Sequence, residues 1–189
     1  MPDVAEWLTA VAIGIGLAAA TGFRVFLPLF IAGAAAHWGA LPLADGFQWL
    51  STTGALIALA TASVVEVAAY YIPGVDHLLD LLAGPAALVA GVVASASVMV
   101  DMPPAVMWPV AIIGGGGIAA VTKVTSALVR AKSGLFTAGL ANPLVATAET
   151  AGAAVVAVLS IVIPILALVA LLIGLIVLGR RRKAPQART

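Results

Sequence analysis

The sequence predicts an all-α fold: a polytopic transmembrane helical bundle of about six spans, with broken or short helices and an internal helical-hairpin repeat. Three observations predict it. The 189 residues are 63% hydrophobic and only 9% charged, whereas a soluble domain carries roughly 25% charged residues to face water. Mean hydropathy is +1.18, and the apolar runs 50–72, 85–100, 105–129 and 155–178 approach the about 20 residues that one crossing needs. Finally, Pro28, Pro85 and Pro143 stand where helices should begin, a place that suits a residue without an N–H.

The elements follow in order. The amino end, Met1 to Glu6, is acidic where a signal peptide is basic, so the run 4–20 is read as a structural first helix. A break at Thr21–Pro28 precedes a short apolar piece, 29–36. Residues 37–48 read as a loop. The span 50–72 ends at Pro73-Gly74, a breaker pair. Residues 75–83 form an amphipathic interfacial stretch, and Pro85 opens a new helix. Residues 101–104 turn, and 105–129 is the next span. Residues 130–133 form a short basic loop. Asn142 N-caps a helix that begins at Pro143 and stays apolar to Leu178, with Pro164 inside.

Trp49 and Trp108 each precede a long helix, and Gly84-Pro85 and Asn142-Pro143 each open the next one. The matching spacing suggests a repeated hairpin, with Trp7 and Pro28 as a shortened first copy. The three hairpin tips should then share one membrane face. Residues 1–179 form a single transmembrane domain, and 180–189 a disordered tail. By the positive-inside rule Arg180–Lys183 is cytoplasmic; it reads as a membrane anchor, and no nucleic-acid partner is expected. The basic tips want the same side as this tail. Seven crossings reconcile them but need a turn near Pro164 with no polar help. The reading taken is six crossings, or five plus a re-entrant piece, with the tail inside.

Ionisable residues inside spans each cost about 2.5–3.5 kcal/mol near the bilayer centre and default to functional or paired positions. Three stand out: Glu66, Lys123 and Glu149. Each lies six residues from an expected helix end, hence about 9 Å in, which predicts one shared depth. Lys123 can pair with one carboxylate and leave the other to titrate or bind a cation; a plain ion network that fixes helix register is the alternative. Arg24 lies in the break, where an unwound segment needs protein or water around it. It can bind an anion, cap carbonyls or pair with Glu66 or Glu149. Tyr70, one turn from Glu66, can hydrogen-bond it, and Tyr70 and Tyr71 fit an interfacial aromatic belt.

Asp76 and Asp80 share a helical face and, with His77 near, can offer oxygen ligands to a divalent metal, although a solvated face accounts for them as well. The chain has no cysteine, which removes disulfides, thiolate metal sites and thiol catalysis. No hydrolase elbow or zinc-binding histidine pair appears. Gly114–Gly117 lacks the lysine-serine of a phosphate loop and predicts close packing or a kink. Ala87, Gly91 and Ser95 form a small-residue ridge for another helix, in this chain or in a second copy.

The segments Thr21-Gly22-Phe23-Arg24-Val25-Phe26-Leu27-Pro28, Glu66 through Asp80 and Thr137-Ala138-Gly139-Leu140-Ala141-Asn142-Pro143 through Glu149 resemble a bacterial multi-pass inner-membrane family. That family is catalogued only as a domain of unknown function, the four-one-two-six family. The resemblance spans about Trp7 to Pro164. It implies an inner-membrane location and no particular activity.

The residues themselves point to a small transporter or channel for an ion or small solute. Arg24, Glu66, Tyr70, Lys123, Asn142 and Glu149 would be its binding residues, and coupling would be to a proton or a cation. No cofactor is evident, and the expected partners are membrane lipids and a second copy of the chain. Two other classes compete: a lipid-handling protein or enzyme acting at headgroups through Asp76, Asp80 and Arg24, and a non-catalytic scaffold.

Overall fold

The computed structural model describes residues 4–72, 75–137, 140–164 and 173, without the side chains of 76–78, 80 and 81. Among the described residues the regular structure is helical throughout. The helices are α1 (Val4–Thr21), α2 (Phe26–His37), a 3₁₀ helix (Asp45–Ser51), α3 (Thr53–Ala69), α4 (Val75–Ser97), α5 (Pro104–Val110), a π-helical segment (Ala111–Gly116), α6 (Gly117–Thr137) and α7 (Asn142–Val162).

Among the described residues three stretches are long and apolar enough to cross a bilayer: Val4–Thr21, Pro104–Thr137 and Asn142–Val162. The 3₁₀ helix and α3 form a broken fourth, bent by 66°, and α2 is a shorter apolar helix. The chain is a membrane-embedded helical bundle. The expected final helix, 143–178, is described to residue 164 and at residue 173, and the basic tail 180–189 lies outside the described residues.

Small residues hold the bundle together. A Cβ added to Gly115 would lie 2.5 Å from Ser95 Cβ and 2.7 Å from the Gly91 carbonyl. One added to Gly91 would lie 2.5 Å from Ala119 Cβ and 2.9 Å from the Gly115 carbonyl. The backbones of α4 and the π segment therefore touch, as small-residue seams allow in lipid, where van der Waals packing drives association. The ridge Ala87, Gly91, Ser95 is thus filled inside the chain, with Ala87 and Ser95 fully buried. The glycine run packs closely, as its sequence predicts, and does so as a π helix.

Several local expectations need correction. Pro85 lies inside α4 and does not open a new helix. It removes one backbone hydrogen bond, a loss that membrane helices tolerate. Residues 130–133 continue α6, because the buried Arg130 side chain turns inward and removes the charge that suggested a loop. Asn142 is the first helical residue and not the cap; the cap position is Ala141, whose N–H donates to Thr137 Oγ1 at 3.1 Å. Trp49 belongs to the 3₁₀ helix. Thr52 caps α3 instead, accepting from Ala55 N at 3.3 Å.

The two ends of the bundle differ. At one end lie the turns after α1, after α3 and after α6. At the other lie the α1 amino terminus, the loop after α2 and the turn after α4, joined where Ala44 N donates to Ser97 O at 2.8 Å. Trp38, Trp49 and Trp108 are exposed by 80%, 50% and 45% at this second end. Phe47 and Trp108 pack with ring centroids 6.4 Å apart. Exposed tryptophans at one level mark a membrane–water boundary, so the interfacial aromatic belt of this chain is built mainly from tryptophan. Tyr70, expected in such a belt, is only 2% exposed.

Candidate functional site

Among the described residues, five charged side chains meet at the end opposite the tryptophans. Arg24, Glu66, Lys123, Arg130 and Glu149 are between 0 and 7% exposed. They come from the α1–α2 break and from α3, α6 and α7. Along the continuous stretch Pro104–Thr137, Lys123 lies roughly 22 Å from Trp108 at 1.5 Å per residue. A hydrocarbon core is about 30 Å thick, so with Trp108 at one boundary and the helix upright the cluster falls within that thickness, towards the far face.

The break that carries Arg24 is formed locally. Gly22 N and Phe23 N donate to Ala19 O and Ala20 O at 3.2 and 3.1 Å, and Arg24 N donates to Ala20 O at 3.2 Å. The turn can press against α6 because residue 22 is glycine: a Cβ there would lie 2.6 Å from Ala119 O and 2.9 Å from Lys123 N. Arg24 is thereby directed into the bundle. Its Nε donates to Thr150 Oγ1 at 3.0 Å and its Nη2 to Ala146 O at 2.8 Å. Its Nη1 donates to Phe23 O at 3.0 Å and to Glu149 Oε2 at 3.1 Å.

Glu149 receives three donors. Arg130 Nη2 shares Oε2 with Arg24, and Ser126 Oγ donates to Oε1. A buried carboxylate bridging two guanidinium groups offsets part of the desolvation of all three.

Glu66 plays a different part. Its Oε1 accepts from Val25 N at 2.8 Å and its Oε2 from Phe26 N at 3.1 Å. These are the first amide groups of α2, which the helix itself leaves unsatisfied. A carboxylate from α3 therefore caps α2 across the bundle, where the helix dipole also favours negative charge.

Tyr70 is the centre of the positive groups. Arg24 Cζ lies 4.2 Å and Arg130 Cζ 4.4 Å from its ring centroid. Lys123 Nζ lies 5.7 Å from the same centroid and donates to the Tyr70 hydroxyl at 3.3 Å. The π face is negative and attracts these cations, more strongly away from water. Nearby, Tyr71 Oη and Thr147 Oγ1 lie 2.7 Å apart and tie the α3–α4 turn to α7.

The sequence-derived residues Arg24, Glu66, Tyr70, Lys123 and Glu149 thus assemble in one place, and the three turns that carry them share one end of the bundle. Their pairing differs from expectation in two respects. Tyr70 meets Lys123 through its hydroxyl, while the Glu66 carboxylate goes to backbone amides. Arg24 meets Glu149, one of the pairings expected of it, and Arg130, which the sequence reading placed in a loop, joins it on the same carboxylate. Asn142 opens α7 beside this end. The side chains of Asp76 and Asp80 lie outside the described residues. Among the described residues, no group of three or more His, Asp or Glu is placed to hold a metal.

Sequence reasoning missed Arg130, Ser126 and Thr150. A signal for the first two was present: Lys123, Ser126 and Arg130 recur at helical spacing on one face. No curated protein and no solved structure matches the chain significantly. A family model matches residues 11–182, a stretch that contains every residue of the cluster. The chain belongs to that family, described as a domain of unknown function, DUF4126.

Proposed function

We propose that the chain is a small membrane transporter or channel for an ion or small solute, working through the buried charged cluster. The observation that supports this most is the depth of that cluster, with five ionisable groups inside the hydrocarbon layer where interrupted helices converge. Packing alone does not call for them, because well-packed apolar residues usually hold a core at equal or lower free energy than a buried ion pair. Short, interrupted segments facing one another are a pointer to a solute site in transporters.

In this reading Arg24, Glu66, Tyr70, Lys123, Asn142 and Glu149 line or gate the path. Glu66 is the movable element. Protonation, or the arrival of a cation, would loosen its hold on Val25 N and Phe26 N and release the start of α2. Arg24 and Arg130 would keep Glu149 in place while this happens.

A scaffold is the second reading. The observation favouring it is the density of hydrogen bonds on Arg24 and Glu149, which suits a fixed brace. Flux separates the two. Purified protein in liposomes holding dyes for protons, potassium, sodium or chloride should pass at least one of them. Glu66→Gln should abolish that flux with helix content and oligomeric state unchanged. Wild-type flux no greater than that of empty liposomes for all four ions would favour the scaffold. Flux unaltered by Glu66→Gln would remove Glu66 from the mechanism.

A further inference from the structure

Between α5 and α6 the helix runs in the π register, over Ala111–Gly116. Hydrogen bonds in that register reach back five residues in place of four, and such turns recur at functional sites. The two flanks are held differently. On the α6 side the backbone is locked by small residues: a Cβ on Gly91 would lie 2.5 Å from Ala119 Cβ, and one on Gly22 would lie 2.6 Å from Ala119 O. On the other side, every residue of α5 is partly or fully exposed. A ring contact at 6.4 Å ties Trp108 of α5 to Phe47 of the 3₁₀ helix.

The π turn leaves polar groups unmet. Where bonding returns from five residues back to four, one carbonyl is passed over. Beside the segment, Ser95 Oγ is fully buried and, among the described residues, has no hydrogen-bond partner. Ser63 and Ser160 show the alternative open to a helical serine, donating to the carbonyl four residues earlier at 2.7 and 2.6 Å. Ser95 Oγ instead faces two glycines, 3.0 Å from a Cβ placed on Gly115 and 2.9 Å from one placed on Gly14. The buried residues of the segment are Ala111, Gly115 and Gly116. Its isoleucines, Ile112 and Ile113, are 53% and 76% exposed, so no large side chain keys the register.

We infer that residues 111–116 are a register switch that turns α5 against a fixed α6. In its second state the segment is α-helical. The exchange takes one residue out of the turn, which at 3.6 residues per turn rotates α5 by about 100°. Trp108 then leaves Phe47. The α register passes over no carbonyl, and turning the segment brings another of its carbonyls to the Ser95 hydroxyl. Each register satisfies what the other forgoes: π keeps Trp108 on Phe47, and α completes the hydrogen bonds. Two packings balanced in this way make a bistable element. The run Gly114–Gly117 eases the exchange, because glycine constrains its backbone least.

With Trp108 withdrawn, the bundle loosens at the tryptophan end, opposite the Glu66 cap. As a gate on a solute path the switch rests on the transport reading; as a register change it does not. Its test therefore reads α5 and not flux, so liposomes that pass no ion would count against transport and leave the switch to its own measurement.

The full-length protein is labelled with 5-fluorotryptophan in nanodiscs, and Trp108→Phe and Trp7→Phe assign the two resonances. Fluorine spectra read exchange as paired signals or as relaxation dispersion, on the microsecond-to-millisecond scale of helix register shifts. Trp108 should exchange between two environments, and Trp7 on α1 should not. Deleting Gly114, whose would-be Cβ lies 3.9 Å from Ile15 Cδ1, removes the extra residue of the π turn. Both flanks then keep their present phase in a continuous α-helix, so the Trp108 exchange should vanish. Ser95→Ala is the milder variant and guards against a deletion that fails to fold. It removes the hydroxyl that favours the second register, so the minor population should fall about tenfold, the scale of one unmet buried donor. A Trp108 signal without exchange in the wild type overturns the inference. Exchange that persists unchanged in the folded deletion variant, or a minor population unaltered by Ser95→Ala, overturns it too.

Discussion

Arg24 and Glu149, separated by 125 positions in the chain, meet at 3.1 Å in the buried interior of the bundle. Arg130 reaches the same carboxylate oxygen from α6. The contact therefore joins three parts of the bundle through one group, and its removal strands charge. Breaking a buried pair by removing one partner typically costs about 3–5 kcal/mol. Glu149→Leu leaves two guanidinium groups without their shared acceptor, and Arg24→Met leaves Glu149 still held by Arg130. Both should destabilise, and Glu149→Leu more. Unfolding of the purified protein in mixed micelles checks this; equal and small losses would show that the pair carries little.

Tyr70 separates two contributions. Tyr70→Phe removes the hydroxyl that accepts from Lys123 Nζ at 3.3 Å and keeps the ring beside Arg24 and Arg130. Its cost should be about 1.5–3 kcal/mol, the scale of a hydrogen bond to a charged group. Tyr70→Leu also removes the π face and should cost at least about 1 kcal/mol more. The difference between the two variants in the same unfolding assay measures the ring. No difference would mean that the guanidinium groups do not use it.

Neighbouring glycines should respond in opposite directions. Gly115→Ala would drive a methyl to 2.5 Å from Ser95 Cβ, an overpacking that costs about 1–3 kcal/mol. Gly117 has nothing within 4 Å of its would-be Cβ and sits in helical backbone. Gly117→Ala should therefore stabilise by up to about 1 kcal/mol, the helix-propensity gain. Thermal unfolding that shifted both variants alike would contradict the α4–π segment contact.

Equal spacing from three expected helix ends predicts one depth for Glu66, Lys123 and Glu149; the three do meet, but α3 ends at Ala69, α6 runs on to Thr137 and α7 starts at Asn142, so the equal distances behind that expectation do not hold. Arg24 was readable because a charge inside a Gly/Pro break at membrane depth must turn towards protein or water. Arg130 was harder to read: a basic residue near an expected helix end looks like a solvated loop, and its helical spacing with Lys123 and Ser126 is the one mark in the sequence that it shares their inward face. The capping of α2 by Glu66 was hidden. It joins a side chain to backbone amides, and backbone groups leave no mark in the sequence. Pro85 misled for a similar reason. One missing N–H is a strong stop signal in isolation and a small loss once α4 packs along α1 and the π segment.

The Glu66 cap gives a further prediction. Glu66→Gln keeps an acceptor but loses the charge that favours two amide donors at once, so the start of α2 should loosen. Amide exchange at Val25 and Phe26 should quicken by about tenfold or more, as a loss of about 1.5 kcal/mol or more implies. Exchange at Ala32, in the middle of the same helix, should stay unchanged. Uniform acceleration along α2 would indicate general unfolding in place of a lost cap.

The central claim is that the buried charges lie on a path that water and solutes enter. The cysteine-free chain allows a direct measurement. Ser126→Cys places a thiol beside Glu149 with little change of size, and its reaction with a small, charged, membrane-impermeant thiosulfonate is followed in intact proteoliposomes. The account predicts modification, quickened by Glu66→Gln because that variant leaves the start of α2 released, with Ala153→Cys, fully buried on α7, unreactive as the control. A Ser126→Cys thiol as inert as that control, in a protein that unfolds normally, would show the cluster to be dry and would contradict the transport reading.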